Sequence, residues 1–139
     1  MVITMAENND KNCKQVIVLR RDLNMRKGKL IAQGAHASMK VLLDKFIKLD
    51  DKSFTYQLQL SEQMDNWING LFTKIVVGVS SEQELLDIYA QAKAAGLSCS
   101  LIKDVGLTEF KNIPTYTAVA IGPADSSDID QITKHLTLL

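Results

Sequence analysis

The chain carries no excess of charge of either sign: its 139 residues hold 16 Lys and Arg against 16 Asp and Glu. Bulk charge therefore points to no polyanionic partner, and such a partner would need a local basic patch. Cysteine is scarce too, with only Cys13 and Cys99, far apart and outside any CxxC pattern. That pattern reads as a reduced intracellular protein, with Cys13 in a polar tail and Cys99 in a strand. Histidine is limited to His36 and His135, so no metal-ligand cluster is visible and no metal site is expected. No apolar run approaches the roughly 18 residues that a membrane span needs. Met1 to Thr4 is too short for a signal core, because Glu7, Asn8, Asn9 and Asp10 follow at once. The chain reads as cytoplasmic, with no membrane partner, no internal repeat and no low-complexity tract.

What is present is an ordinary globular composition, 46% hydrophobic and 23% charged, in a length that suits one domain. Residues 1–13 read as a flexible polar tail and 14–139 as a single domain. Val16 to Leu19 form an unbroken β-rich run, as in a strand covered on both faces. Beyond Gly28, the residues Ile31, Ala35, Met39, Leu42, Phe46 and Leu49 recur at helical spacing. They predict the buried stripe of a helix of about five turns. A short helix is expected over Ser61 to Asn69, with Gly70 just past its end. The stretch from Lys74 to Val79 predicts a second strand. Ser81 and Glu84 make a capping-box pattern for a helix ended by Gly96. Two more strands are expected, from Leu97 to Lys103 and from Thr115 to a stop at Gly122-Pro123, and a last helix from about Ser127. The order is that of an α/β protein, three-layered α/β/α, with a four-stranded mixed, mostly parallel sheet. Only the short link between the last two strands demands an antiparallel neighbour.

Three features carry possible chemistry. The segment from Arg20 to Lys29 holds Arg20, Arg21, Arg26, Lys27 and Lys29 against one acid, Asp22. It lies where a strand ends and a helix begins, a position that favours anions. It reads as a phosphate contact or as a solvated charge cluster. Lys27-Gly28-Lys29 is not a P-loop, since the upstream glycine and the following hydroxyl are missing. Lys29, Gln33 and His36 stack on one helix face among small residues that let a ligand or a backbone approach. A packed amide and a core histidine are the alternative reading. Asp104 closes a strand ahead of Gly106 and Thr108, either to orient a water or to hydrogen-bond its own turn. Thr115 and Thr117 share one strand face.

Taken together, Lys14 to Val18, Asp22, Met25, Lys27 to Lys29, Ala32-Gln33 and His36-Ala37 resemble the opening of type 2 peptidyl-tRNA hydrolases. The run from Asp104 to Glu109, then Pro114 to Thr117, Ala120 to Pro123 and the ending from Lys134 to Leu139, resemble the second half of that family. The resemblance implies hydrolysis of the ester joining a peptide to tRNA, with no cofactor and usually as a homodimer. It matches the family's lysine to Lys29, its acid to Asp104 and its threonines to Thr108 and Thr117, with Gln33 and His36 lining the same cleft. On that basis Asp104 orients or deprotonates a water, Lys29 stabilises the oxyanion or the leaving ribose oxygen, and His36 is an alternative proton carrier. Arg20, Arg21, Arg26 and Lys27 are expected to reach tRNA phosphates. Arg26 stands where the family usually has glycine and Val105 where it usually has alanine, and the loop between Asp104 and Thr117 is one residue longer than in the archaeal pattern. The rival readings are a non-catalytic tRNA-binding module of the same fold and a hydrolase of another acyl ester.

Overall fold

The computed structural model describes residues 12–139. The expected tail therefore lies largely outside the described residues, but Cys13 does not belong to it. Cys13 is 3% exposed and opens the first strand, β1 (Cys13–Arg20), opposite Asp125. The chain continues through α1 (Lys27–Leu43), a small hairpin of β2 (Ile47–Lys48) and β3 (Tyr56–Gln57), and α2 (Glu62–Asn69). Then follow β4 (Lys74–Val79), α3 (Glu82–Ala94), β5 (Cys99–Asp104), β6 (Thr115–Asp125), α4 (Ser126–Thr133) and β7 (Thr137–Leu138). Ser81 caps α3 as its spacing predicts, accepting from the Glu84 N–H, and Ser61 likewise caps α2, accepting from the Met64 N–H.

The main sheet has five strands in the order β5-β6-β1-β4-β7. It is mixed, but mostly antiparallel rather than mostly parallel, because only β1 and β4 pair in parallel. The reason is where β6 inserts. Strands β1, β4 and β5 all run the same way, yet β6 returns from β5 into the gap beside β1 and separates the two. One short connection thereby creates two antiparallel ladders instead of one. The brief β7 adds a fifth strand at the other edge. Nor does β6 stop at Gly122-Pro123. Ala124 and Asp125 still pair with Lys14 and Cys13 across a register shift in β1, so the proline sits at an irregularity where its missing N–H costs no ladder bond.

Alternation along the central strands divides the core into two layers. Val16, Val18, Val119 and Ile121 face α3 and α4, where Leu85, Ile88, Ile129 and Ile132 complete one cluster. Ile17, Leu19, Ala118 and Ala120 face the opposite way, toward Ala37 and Val41 of α1 and Met64 near α2's start. The buried face of α1 is not the stripe that its large residues predict. Ile31 is 72% exposed and Met39 59%, whereas Gln33, Gly34, Ala37 and Val41 are buried. Phe46 and Leu49 lie beyond the helix end and are exposed. Ala37 packs with Ala118 and Ala120 of β6, and Gly34 lies over Ile17 and Leu19 of β1, so the helix axis sits close to the sheet. Polar ties fix its height. Ser100 Oγ donates to the Ala37 carbonyl at 2.7 Å, and buried Gln15 bridges the Ser38 and Gly122 carbonyls.

Candidate active site

Since β1 and β5 run the same way, their carboxyl ends meet at one rim of the sheet, with the start of β6 between them. The first turn of α1 lies over that rim. Lys29 enters from this turn and Asp104 from the last position of β5. Their charges lie 3.0 Å apart, with side chains 11% and 13% exposed. Gln33, one turn along α1, donates to Asp104 Oδ1 at 3.2 Å, and the Gly106 N–H donates to Oδ2 at 2.9 Å. Lys29 also donates to Thr108 Oγ1 at 2.6 Å and stands over the Phe110 ring. Gly106 has to be glycine here. Its φ is 87°, and a Cβ would lie 2.5 Å from the Ile113 carbonyl oxygen.

Burial pushes the Asp104 carboxyl up, but the hydrogen bonds from Lys29, Gly106 and Gln33, with the Lys29 charge, outweigh it and hold the group below its ordinary value. Valence then limits what each group has left. A carboxylate offers about four lone-pair sites, of which three are filled, and the open one is on Oδ2. An ammonium has three donors, and two are engaged. One acceptor position for a water and one donor for a developing oxyanion thus remain. Lys29 and Asp104 line an open pocket of about 490 Å³ that His36 also lines.

The sequence-expected residues do not all come together. Thr117 is fully buried, and its hydroxyl donates to Gln33 Oε1 at 2.5 Å. It does not line the pocket and reaches it only through its bond to Gln33. Gln33 is 1% exposed, and the acceptor-only carboxylate beside it fixes its amide nitrogen toward Asp104. Arg20 is spent internally. It grips Asp22 through two nitrogens, at 3.1 and 2.6 Å, and donates to the Tyr116 carbonyl at 3.0 Å. The Arg20 hydrogen bonds in turn hold Asp22 below the usual carboxylate range. Arg21 crosses Gly78 to reach the Thr137 and Leu138 carbonyls, tying β7 to the sheet. Arg26 and Lys27, by contrast, project into solvent, Arg26 with its side chain 90% exposed. Phe110 and Glu109 were not legible as site residues. Glu109 accepts from the Arg26 N–H at 3.4 Å, at the otherwise acid-free start of α1. Among the described residues no group of His, Cys, Asp or Glu could hold a metal ion.

The chain is thus a three-layer α/β protein with a lysine–carboxylate pair at the carboxyl ends of its strands. The family can now be stated. Residues 13–139 match the family model described as Peptidyl-tRNA hydrolase PTH2, and the chain belongs to that family. It is 44% identical over 126 residues to a peptidyl-tRNA hydrolase of Methanocaldococcus jannaschii, spanning 91% of this chain and 99% of the relative. A peptidyl-tRNA hydrolase of Halobacterium salinarum is 43% identical over 125 residues, covering 90% and 98% of the two chains. A solved structure of a protein of unknown function from Agrobacterium tumefaciens superposes with a TM-score of 0.57 at 16% identity. It covers 92% of this chain and 98% of its own, and supports the fold alone.

Proposed function

We propose that this chain hydrolyses the ester between a peptide and tRNA, returning the tRNA for use. The observation that carries the reading is the Lys29–Asp104 pair lining the pocket, with one acceptor and one donor left open. Asp104 orients a water toward the ester carbonyl. Lys29 supplies the charge that stabilises the oxyanion and then the departing ribose oxygen. Thr108 holds the Lys29 ammonium, Gln33 holds Asp104, and Thr117 holds Gln33. The water's proton goes to Asp104 or to His36 at the pocket wall, the two candidate carriers.

Arg26 and Lys27 are the tRNA-phosphate contacts, whereas Arg20 and Arg21 support the rim. The enzyme works in the cytoplasm. No helix among the described residues is long and apolar enough to cross a membrane. It works as a homodimer that seats the exposed stripe of Ile31 and Met39 and the apolar groove of about 630 Å³ between α1 and Trp67 against a second copy. Light scattering on the purified protein should give a dimer, and a monomer would remove that part of the proposal.

The deciding assay is release of free tRNA from N-acetyl-aminoacyl-tRNA. Lys29→Ala and Asp104→Ala should each lower kcat/KM by about 10²–10⁴-fold. Absence of wild-type cleavage sinks the hydrolase reading, and full activity in both variants sinks the mechanism.

A further inference from the structure

The loop between β5 and β6 does more than close the catalytic pocket. Leu107, Thr108 and Glu109 form a ridge, and a second pocket of about 480 Å³ lies behind it. The two pockets share these three residues as a common wall. Their other linings differ in chemistry. On the catalytic side, Ala32 and Val105 flank the polar cluster, and Val105 and Leu107 are 62% and 76% exposed. On the far side the wall is made by Asn24, Arg26, Lys111 and Asn112. Glu109, the acid on that wall, is taken up by the Arg26 side chain at 3.8 Å and the Arg26 N–H. The far pocket is thus left with an excess of positive charge.

The far rim is a built turn, not slack chain. Lys111 and Asn112 both have left-handed backbones, with φ of 51° and 65°. The Asn112 N–H closes the loop onto the Gly106 carbonyl at 2.7 Å. Opposite them, Asn24 is also left-handed, with φ of 52°.

An ester of a peptide with tRNA has two unlike halves on either side of one bond. One is an acyl group with an amino-acid side chain. The other is a ribose followed within one nucleotide by a phosphate. Thr108, bonded to Lys29, stands where the two pockets meet. We propose that the ridge sorts these halves: the Asn24–Lys111–Asn112 pocket binds the phosphate and sugar of the 3′-terminal nucleotides, and Val105 with Leu107 forms the seat of the acyl side chain. This rests on the hydrolase reading above and adds to it a nucleotide site and a specificity wall.

Two measurements test it. In the first, binding of uncharged tRNA is followed against salt concentration for wild type, Lys111→Ala and Lys111→Arg. One lost phosphate contact on a single strand should reduce the log–log salt slope by about 0.7, which is about fivefold in affinity at 0.1 M salt. Lys111→Arg should restore both. An unchanged slope in Lys111→Ala overturns the nucleotide half, and this readout does not depend on the protein being a hydrolase. In the second, kcat/KM is compared for N-acetyl-leucyl- and N-acetyl-glycyl-tRNA. Leu107→Ala should narrow the preference for the leucyl substrate about threefold to tenfold. A uniform loss on both substrates, or no change in the ratio, overturns the acyl half. Wild-type inactivity on both substrates would instead count against the hydrolase reading itself, and with it the acyl seat.

Discussion

Replacing Thr117 with valine isolates the least visible part of the site. The substitution keeps the branched shape and removes one hydroxyl, the donor to Gln33 Oε1. Gln33 is 1% exposed, so no water takes the donor's place, and a buried acceptor is stranded at a cost of about 1–3 kcal/mol. For a domain of this size that lowers Tm by about 3–10 °C. The same loss frees the Gln33 amide to rotate away from Asp104, which then keeps only its bonds to Lys29 and Gly106. A roughly tenfold fall in kcat corresponds to about 1.4 kcal/mol of lost alignment and is the expected size. KM should barely move, because Thr117 is fully buried and meets no substrate. Thr117→Ser should rescue both stability and rate. With Gln33→Leu already present, Thr117→Val should cost less than about 0.5 kcal/mol, since the two act as one unit. Denaturant unfolding and steady-state hydrolysis supply the numbers. A rise in KM at constant kcat would refute the reasoning, because it would make Thr117 a substrate contact.

Other consequences follow from the same contacts. Asp104 and Asp22 are both held below the ordinary carboxylate range, so each contributes stability that is present above its unfolded pKa of about 3.9. That contribution drains away as pH falls through the lower folded values. Chemical unfolding between pH 5 and pH 2 should show the loss, and it should be smaller in Asp22→Asn; equal pH dependence in the two proteins contradicts the assignment. The pH–rate profile separates the two candidate proton carriers. An acid limb that vanishes in His36→Asn supports His36, and one that persists excludes it. Lys27 opposes the dipole at the start of α1, where no acid occupies the first turn. Lys27→Glu should therefore gain about 0.3–1 kcal/mol of stability while weakening tRNA binding, and a loss of both would show the lysine to be structural. Arg20→Met should lose about 1–3 kcal/mol through the stranded Tyr116 carbonyl and leave the salt slope of tRNA binding unchanged. A reduced slope there would restore Arg20 as a phosphate contact.

Periodicity and punctuation made most of the fold legible. The strand runs around Val16–Leu19 and Lys74–Val79 and the Ser81 cap sit where their chemistry places them, and Gly70 follows α2 as expected but with φ of −106° rather than a left-handed turn. Sheet direction was less legible, because a short link between β5 and β6 shows that they are antiparallel but not that β6 inserts beside β1. The candidate site was legible as a cluster of residue types, but roles within it depend on depth, which spacing does not reveal. Arg20 and Arg26 look alike in a basic segment, yet one reaches inward to the Tyr116 carbonyl and the other extends into water.

The case of α1 shows why depth decides function. Its apolar residues Ile31, Ala35 and Met39 share the helical spacing of a core stripe, and hydrophobic periodicity alone selects them. The neighbouring face, with Gln33, Gly34, Ala37 and Val41, is the one that seats on the sheet. Ala118 and Ala120 lie beneath it and admit only a face of small residues at that distance. A bulkier side chain at Ala37 would lift the helix away from β6. Gln33 would then no longer span from the Thr117 hydroxyl to the Asp104 carboxylate, and Lys29, one turn earlier, would leave its partner. The small residues of α1 are thus as necessary to the ion pair as the charged residues are, although none of them touches substrate.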